Sequence, residues 1–91
     1  MFRFRLYIAS EAQNSAHALA NLTTICKAHF ADRHELEIVD VFREPQRARA
    51  DGIRMTPTLV KFEPPPVQRI IGTLSDTERV LRALGLEVFA A

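Results

Sequence analysis

The 91 residues contain no tryptophan, one cysteine, one tyrosine and only three glycines. One cysteine excludes an internal disulfide framework and any CxxC centre. Gly52, Gly72 and Gly85 stand alone, which excludes a glycine-rich phosphate loop. No apolar run approaches the roughly 18 residues a bilayer-spanning helix needs. The alternating start, Met1-Phe2-Arg3-Phe4-Arg5, does not read as a signal peptide. Charge of one sign is missing too: twelve Lys and Arg against eleven Asp and Glu leave a net +1. That balance offers no footprint for nucleic acid or anionic lipid. What is present, 47% hydrophobic and 25% charged residues, is the composition of an ordinary soluble globule. The expectation is one cytoplasmic domain over residues 1–91.

Hydrophobic periodicity divides the chain into seven elements. Phe2, Phe4, Leu6 and Ile8 recur at period two with Arg3, Arg5 and Tyr7 opposite, which predicts a first strand. After the polar stretch Ser10 to Ser15, with Asn14 or Ser15 as cap, an amphipathic helix is expected. Its stripe is Ala18, Leu19, Leu22, Ile25, Cys26, His29 and Phe30. Glu35 to Phe42 is rich in β-branched residues and reads as a second strand. A short helix follows, opened by Pro45 and stopped by Gly52. Strands are expected over Thr58 to Glu63 and Val67 to Ile71, joined by Pro64-Pro65-Pro66, which cannot donate ladder hydrogen bonds. Ser75 and Glu78 have capping-box spacing ahead of a last helix with Val80, Leu81, Leu84 and Val88 buried and Gly85 near its end. The order βαβαββα, with a right-handed parallel crossover at the start and an antiparallel pair later, is the α/β arrangement of thioredoxin, a four-stranded mixed sheet.

That arrangement raises redox chemistry. A thioredoxin-type dithiol sits where the first strand meets the first helix, yet Ser10-Glu11-Ala12-Gln13-Asn14-Ser15 holds no sulfur. Cys26 lies on the apolar stripe and reads as a small core residue; a redox enzyme acting through Cys26 alone is the weakest reading. Thr56-Pro57-Thr58, directly before a strand, has the place of the cis proline of such folds. His17, His29 and His34 lack the i,i+4 spacing of metal ligands. Arg43, Arg47, Arg49 and Arg54 surround the short helix. They read as a solvated face or as a docking surface for an acidic partner; without interleaved aromatic residues they do not read as a nucleic-acid platform. No nucleophilic triad or inward carboxylate pair is present, so nothing points to catalysis.

Several strings together carry a resemblance. Leu6-Tyr7-Ile8-Ala9, Asn14-Ser15, Val39-Asp40-Val41, Pro45-Gln46, Thr56-Pro57-Thr58-Leu59, Pro64-Pro65-Pro66-Val67, Arg69-Ile70-Ile71-Gly72 and Leu74-Ser75-Asp76 resemble the circadian clock protein family KaiB over nearly the whole chain. The resemblance implies a non-enzymatic regulator that binds the ring ATPase KaiC, sequesters KaiA and displaces a clock-output histidine kinase whose sensor domain is itself thioredoxin-like. It also implies fold switching. A tetrameric ground state rearranges the second half of the chain to β-α-α-β order, and a rare thioredoxin-like monomer binds KaiC. Pro57, Pro64, Pro65 and Pro66 then belong to the switch, because proline isomers differ between the two states.

Departures from the clock-type pattern modify these expectations. Ala83 stands where those members have glycine, which favours helix by about 0.8–1 kcal/mol. Gly85 replaces an aspartate where glycine can end a helix, and Arg82 suits the negative end of the helix dipole. Together they shift preference toward the thioredoxin-like state by about 1–2 kcal/mol, so the chain is expected to rest as that monomer, and as a tetramer only in the ground-state fold. Clock-type members carry lysine at Glu37 and Gly52, arginine at His17, and acidic residues at Arg49 and Ala50, with Asp51 retained. These six positions are the expected partner contacts, Glu37, Asp51 and Gly52 nearest the family's own. The altered charges argue for a KaiC-like ring matched to this chain and against KaiA. The alternative is a thioredoxin-like adaptor or sensor for a histidine kinase or stress-response ATPase outside a clock. No cofactor or metal is expected in either case.

Overall fold

Neighbouring side chains of the first strand enter different cores, and the rest of the architecture follows from that alternation. The computed structural model describes residues 1–10 and 12–85. Its elements are β1 (Phe2–Ile8), α1 (Gln13–His29), β2 (His34–Asp40), α2 (Pro45–Ala50), β3 (Thr58–Glu63), β4 (Gln68–Ile71) and α3 (Thr77–Ala83). The four strands form one sheet in the order β2-β1-β3-β4, with β1 parallel to β2 and antiparallel to β3, and β3 antiparallel to β4. This is the expected α/β arrangement.

Phe4 and Leu6 point to one side of the sheet, where they meet Ala18, Leu22, Ile25, Cys26 and Phe30 of the α1 stripe and Val80, Leu81 and Leu84 of the last helix. Phe30 closes this core against Phe2 and Phe4, with ring centroids 4.5 and 5.3 Å apart. Each fully buried Leu or Phe contributes about 1.5–3 kcal/mol on that side. Tyr7 points to the other side, into a smaller core with Val39, Val60 and Ala48 of α2, flanked by Ile53 and Phe62. The thin cover on this second face, one six-residue helix, leaves polar residues of β1 and β2 accessible there.

The local signals held unevenly. The last residues of the expected second strand leave it, because the Asp40 side chain accepts a hydrogen bond from the Phe42 amide at 2.9 Å while its carbonyl accepts from Arg43 and Glu44. That turn ends β2 at Asp40 and leaves Phe42 71% exposed. Helix α1 begins at Gln13 without a side-chain cap. The Ser15 hydroxyl is instead buried and accepts from the Ala9 amide at 3.1 Å, tying the helix to the end of β1. His29 is exposed rather than part of the apolar stripe. The cap of α3 is Asp76, whose carboxylate accepts from the Arg79 amide at 3.1 Å, not Ser75, which receives the Thr73 hydroxyl. β4 starts at Gln68, one residue later than expected.

Both glycine stops are real. Asp51 caps α2, and Gly52 follows at φ +68°, its amide donating to Arg49 O while the Ile53 amide returns to Ala48 O at 2.8 Å. This paired closure suits glycine, which enters the left-handed region without a Cβ penalty. Gly85, at φ +87°, donates to Arg82 O just after α3, which holds Ala83 in its last turn. The end of α3 has a second anchor: Lys61 is buried on β3, and its Nζ donates to Leu84 O at 3.3 Å. The expected burial of Val88 lies outside the described residues. Thr56–Pro57, Glu63–Pro64 and Pro65–Pro66 are cis. Pro57 is buried and its carbonyl accepts from Gly72, while Pro64, Pro65 and Pro66 are exposed in the β3–β4 connection.

Candidate functional site

On the α2 side of the sheet, one arginine links residues from three elements. The Arg5 side chain of β1 donates from Nε to Glu37 Oε1 of β2 at 2.8 Å, and from a terminal nitrogen to Asp51 Oδ2, the cap of α2, at 2.7 Å. Its guanidinium lies over the Phe62 ring, 4.5 Å from the centroid. Period-two alternation places Arg5 and Tyr7 on the same face as Phe62 of the neighbouring strand, which is why they meet. The Tyr7 hydroxyl donates to the same Asp51 carboxylate. Arg47 of α2 donates to Glu37 Oε1 at 2.7 Å and to Glu44 at 3.3 Å. Arg69 of β4 donates to the carbonyls of Asp51 and Gly52. Strands β1, β2 and β4 and both ends of α2 are thereby joined by one polar network.

The network sets the ionisation of its members. Arg47, then Arg5, hold the Glu37 carboxyl down at about 2. Burial works to raise Asp51, but the hydrogen bonds from Tyr7 and Arg5 outweigh it and the carboxyl sits below its ordinary value. Burial, and then donation to Asp51, push the Tyr7 phenol up. Both carboxylates are therefore committed to arginine and tyrosine and are poor proton shuttles. A groove of about 500 Å³ adjoins the network, lined by Arg5, Glu37 and Phe62 together with Arg3, Glu35 and Glu63.

Of the six expected contact residues, the structure places five on one side of the sheet, on β2 and at the C-terminal end of α2. Glu37 and Asp51 are bridged by Arg5, Gly52 adjoins Asp51, and Arg49 and Ala50 are exposed on α2. His17 is exposed on α1, which packs on the opposite side of the sheet, so it does not join them. The arginine group also divides. Arg47 is taken up by Glu37 and Glu44, whereas Arg43, Arg49 and Arg54 make no ion pair with any described residue. Arg5, Tyr7, Phe62 and Arg69 were not anticipated as members; only the shared side of Arg5 and Tyr7 is readable in the sequence. Cys26 is buried in the larger core, and burial pushes its thiol up to about 11. Among the described residues no three His, Cys, Asp or Glu side chains are grouped as metal ligands, and no helix is long and apolar enough to cross a membrane.

Comparison with known proteins gives a consistent picture. The KaiB domain profile matches residues 5–86. Circadian clock protein KaiB3 of Synechocystis sp. is 49% identical over 84 residues, covering 92% of this chain and 80% of that protein. A circadian clock oscillator protein KaiB of Prochlorococcus marinus is 50% identical over 82 residues, covering 90% and 69%. Among solved structures, the N-terminal domain of Synechococcus elongatus SasA aligns with a TM-score of 0.75 at 22% identity, covering 99% of this chain and 89% of that one. A malaria-parasite thioredoxin-2 aligns with a TM-score of 0.78 at 15% identity, covering 93% and 82%. These two likenesses are likenesses of fold.

Proposed function

The chain belongs to the KaiB family of circadian clock proteins, and we propose that it is a non-enzymatic regulator that binds a KaiC-like ring ATPase through the β2–α2 face. It acts as one domain over residues 1–91, in the cytoplasm, without cofactor, and rests as the thioredoxin-like monomer. The observation that carries this reading is the Arg5 bridge between Glu37 and Asp51, which ties together two positions that the resemblance implies as partner contacts. A surface ordered before binding loses less side-chain entropy on docking. The helical state of Thr77–Ala83, with Asp76 at one end and Gly85 and Lys61 at the other, supports the resting-state part of the proposal. KaiA is not among the proposed partners, since Glu37, Arg49 and Gly52 alter the charges the clock-type members present.

The test is binding of the purified chain to its host's KaiC-like ring, with Arg49→Glu and His17→Ala compared against the unmodified protein. Binding weakened by Arg49→Glu and untouched by His17→Ala supports the α2 face; the reverse pattern moves the contact to α1 and overturns this assignment. A second reading, a thioredoxin-like adaptor or sensor for a histidine kinase or stress-response ATPase outside a clock, draws support from the near-complete overlap with the SasA N-terminal domain. It becomes the leading one if no ring ATPase binds.

A further inference from the structure

The small core under α2 draws on β1, β2 and β3 but not on β4, so the helix cover ends before the sheet does. In the uncovered corner the chain leaving α2 runs beside β4 and leaves a groove of about 200 Å³. Its apolar surface comes from Ile53, Met55 and Ile71, and both Met55 and Ile71 are 59% exposed. Arg54 and Arg69 line the same groove, and no acidic side chain does. The Asp51 carboxylate nearby is hydrogen-bonded to Arg5 and Tyr7. Arg69 donates once from each terminal nitrogen to the Gly52 and Asp51 carbonyls, which carry no charge and leave further N–H groups of its guanidinium for an acid. Arg54 makes no ion pair or hydrogen bond with a described residue. Two exposed aliphatic side chains between two arginines without carboxylate partners form a site complementary to an apolar residue flanked by acids.

We propose that this groove seats an acidic segment of the partner protein, its apolar side chain between Met55 and Ile71 and its carboxylates on Arg54 and Arg69. The assignment rests on the reading of the chain as a ring-binding regulator, because the groove opens next to Asp51 and Gly52 on the same face. It goes further in naming the chemistry of the segment bound. Desolvated arginine–carboxylate contacts fix register and speed encounter, while the aliphatic pair supplies buried area.

The experiment titrates the isotope-labelled full chain with the synthetic peptide Glu-Asp-Leu-Phe-Glu-Asp, capped at both ends, and follows backbone shifts. The expected result is perturbation of Arg54, Met55, Arg69 and Ile71 with α1 unaffected. Arg54→Glu is expected to weaken the peptide at least fivefold, and Arg54→Lys far less. Arg54 lies in an exposed loop, so neither variant is expected to disturb folding, and the shift map itself reports whether it has. Shifts confined to other surfaces, no shifts at all, or equal affinity in Arg54→Glu overturn the proposal. The ring is assayed separately. Peptide binding in the groove without ring binding leaves the groove standing and removes the ring-binding reading, whereas ring binding indifferent to Arg54→Glu removes the groove and leaves that reading.

Discussion

Arg5 and Asp51 are 46 positions apart in the chain and 2.7 Å apart in space. Arg5 comes from the strand at the middle of the sheet and Asp51 ends the short helix above it, so the contact fixes where α2 sits relative to β1. Glu37 shares the same guanidinium, and β2 is therefore held in the same frame.

Arg5→Met keeps much of the side-chain volume over Phe62 but leaves Asp51 with Tyr7 alone and Glu37 with Arg47 alone. A half-buried carboxylate losing a charged donor costs about 1–3 kcal/mol, and urea unfolding is expected to show a loss in that range. Arg5→Lys is expected to fall between, since one ammonium cannot repeat the two-sided fork.

Acid reads out the same network. The folded-state carboxyls of Glu37 and Asp51 lie below their ordinary values. Their contribution is therefore fully present above the unfolded carboxyl range. It is lost as pH falls through the folded values, for Glu37 from about 4.5 toward about 2. Glu37 is 49% exposed, so solvent screening keeps its share under about 1 kcal/mol. Unfolding free energy measured from pH 6 to pH 2 is expected to fall, and Glu37→Gln is expected to flatten part of that fall.

Gly52 closes α2 in the left-handed region at φ +68°, where a Cβ would meet only the end of Arg69 at 3.7 Å. Gly52→Ala is therefore a test of backbone strain more than of space, and about 1 kcal/mol of destabilisation is expected in thermal or urea unfolding. Gly52→Asn is expected to cost less, because asparagine tolerates that region better.

Cys26 separates a structural thiol from a reactive one. With its thiol buried and pushed up to about 11, labelling by a thiol reagent at neutral pH is expected to be slow in the native protein and fast in denaturant. Rapid native labelling would revive the redox reading.

The larger part of the fold was legible from local pattern. Period two along Phe2–Ile8, the three-and-four spacing of Ala18, Leu22 and Ile25, and Pro45 with Gly52 mark elements through rules that act within a few residues. The errors fell where side chains of neighbouring residues compete for the backbone. Asp40 captures the Phe42 amide and ends β2 early, Ser15 serves Ala9 instead of capping α1, and Asp76 takes the cap expected of Ser75. The site was less legible. Glu37, Asp51 and Gly52 enter the candidate site only as what the resemblance implies, while Arg5, Arg69 and Phe62 join them only through strand pairing and the return of α2, contacts that no local spacing encodes. The arginines around α2 read as one group in sequence; folding gives Arg47 to Glu37 and leaves Arg54 beside an apolar groove.

The most direct test of the account is the time course of binding after the purified chain is mixed with its host's KaiC-like ATPase ring. A face held ready by the Arg5 bridge, in a chain resting as the thioredoxin-like monomer, predicts that binding is complete on mixing, with no phase lasting hours. A slow phase would contradict the resting state, and no binding at all would contradict the regulator reading itself.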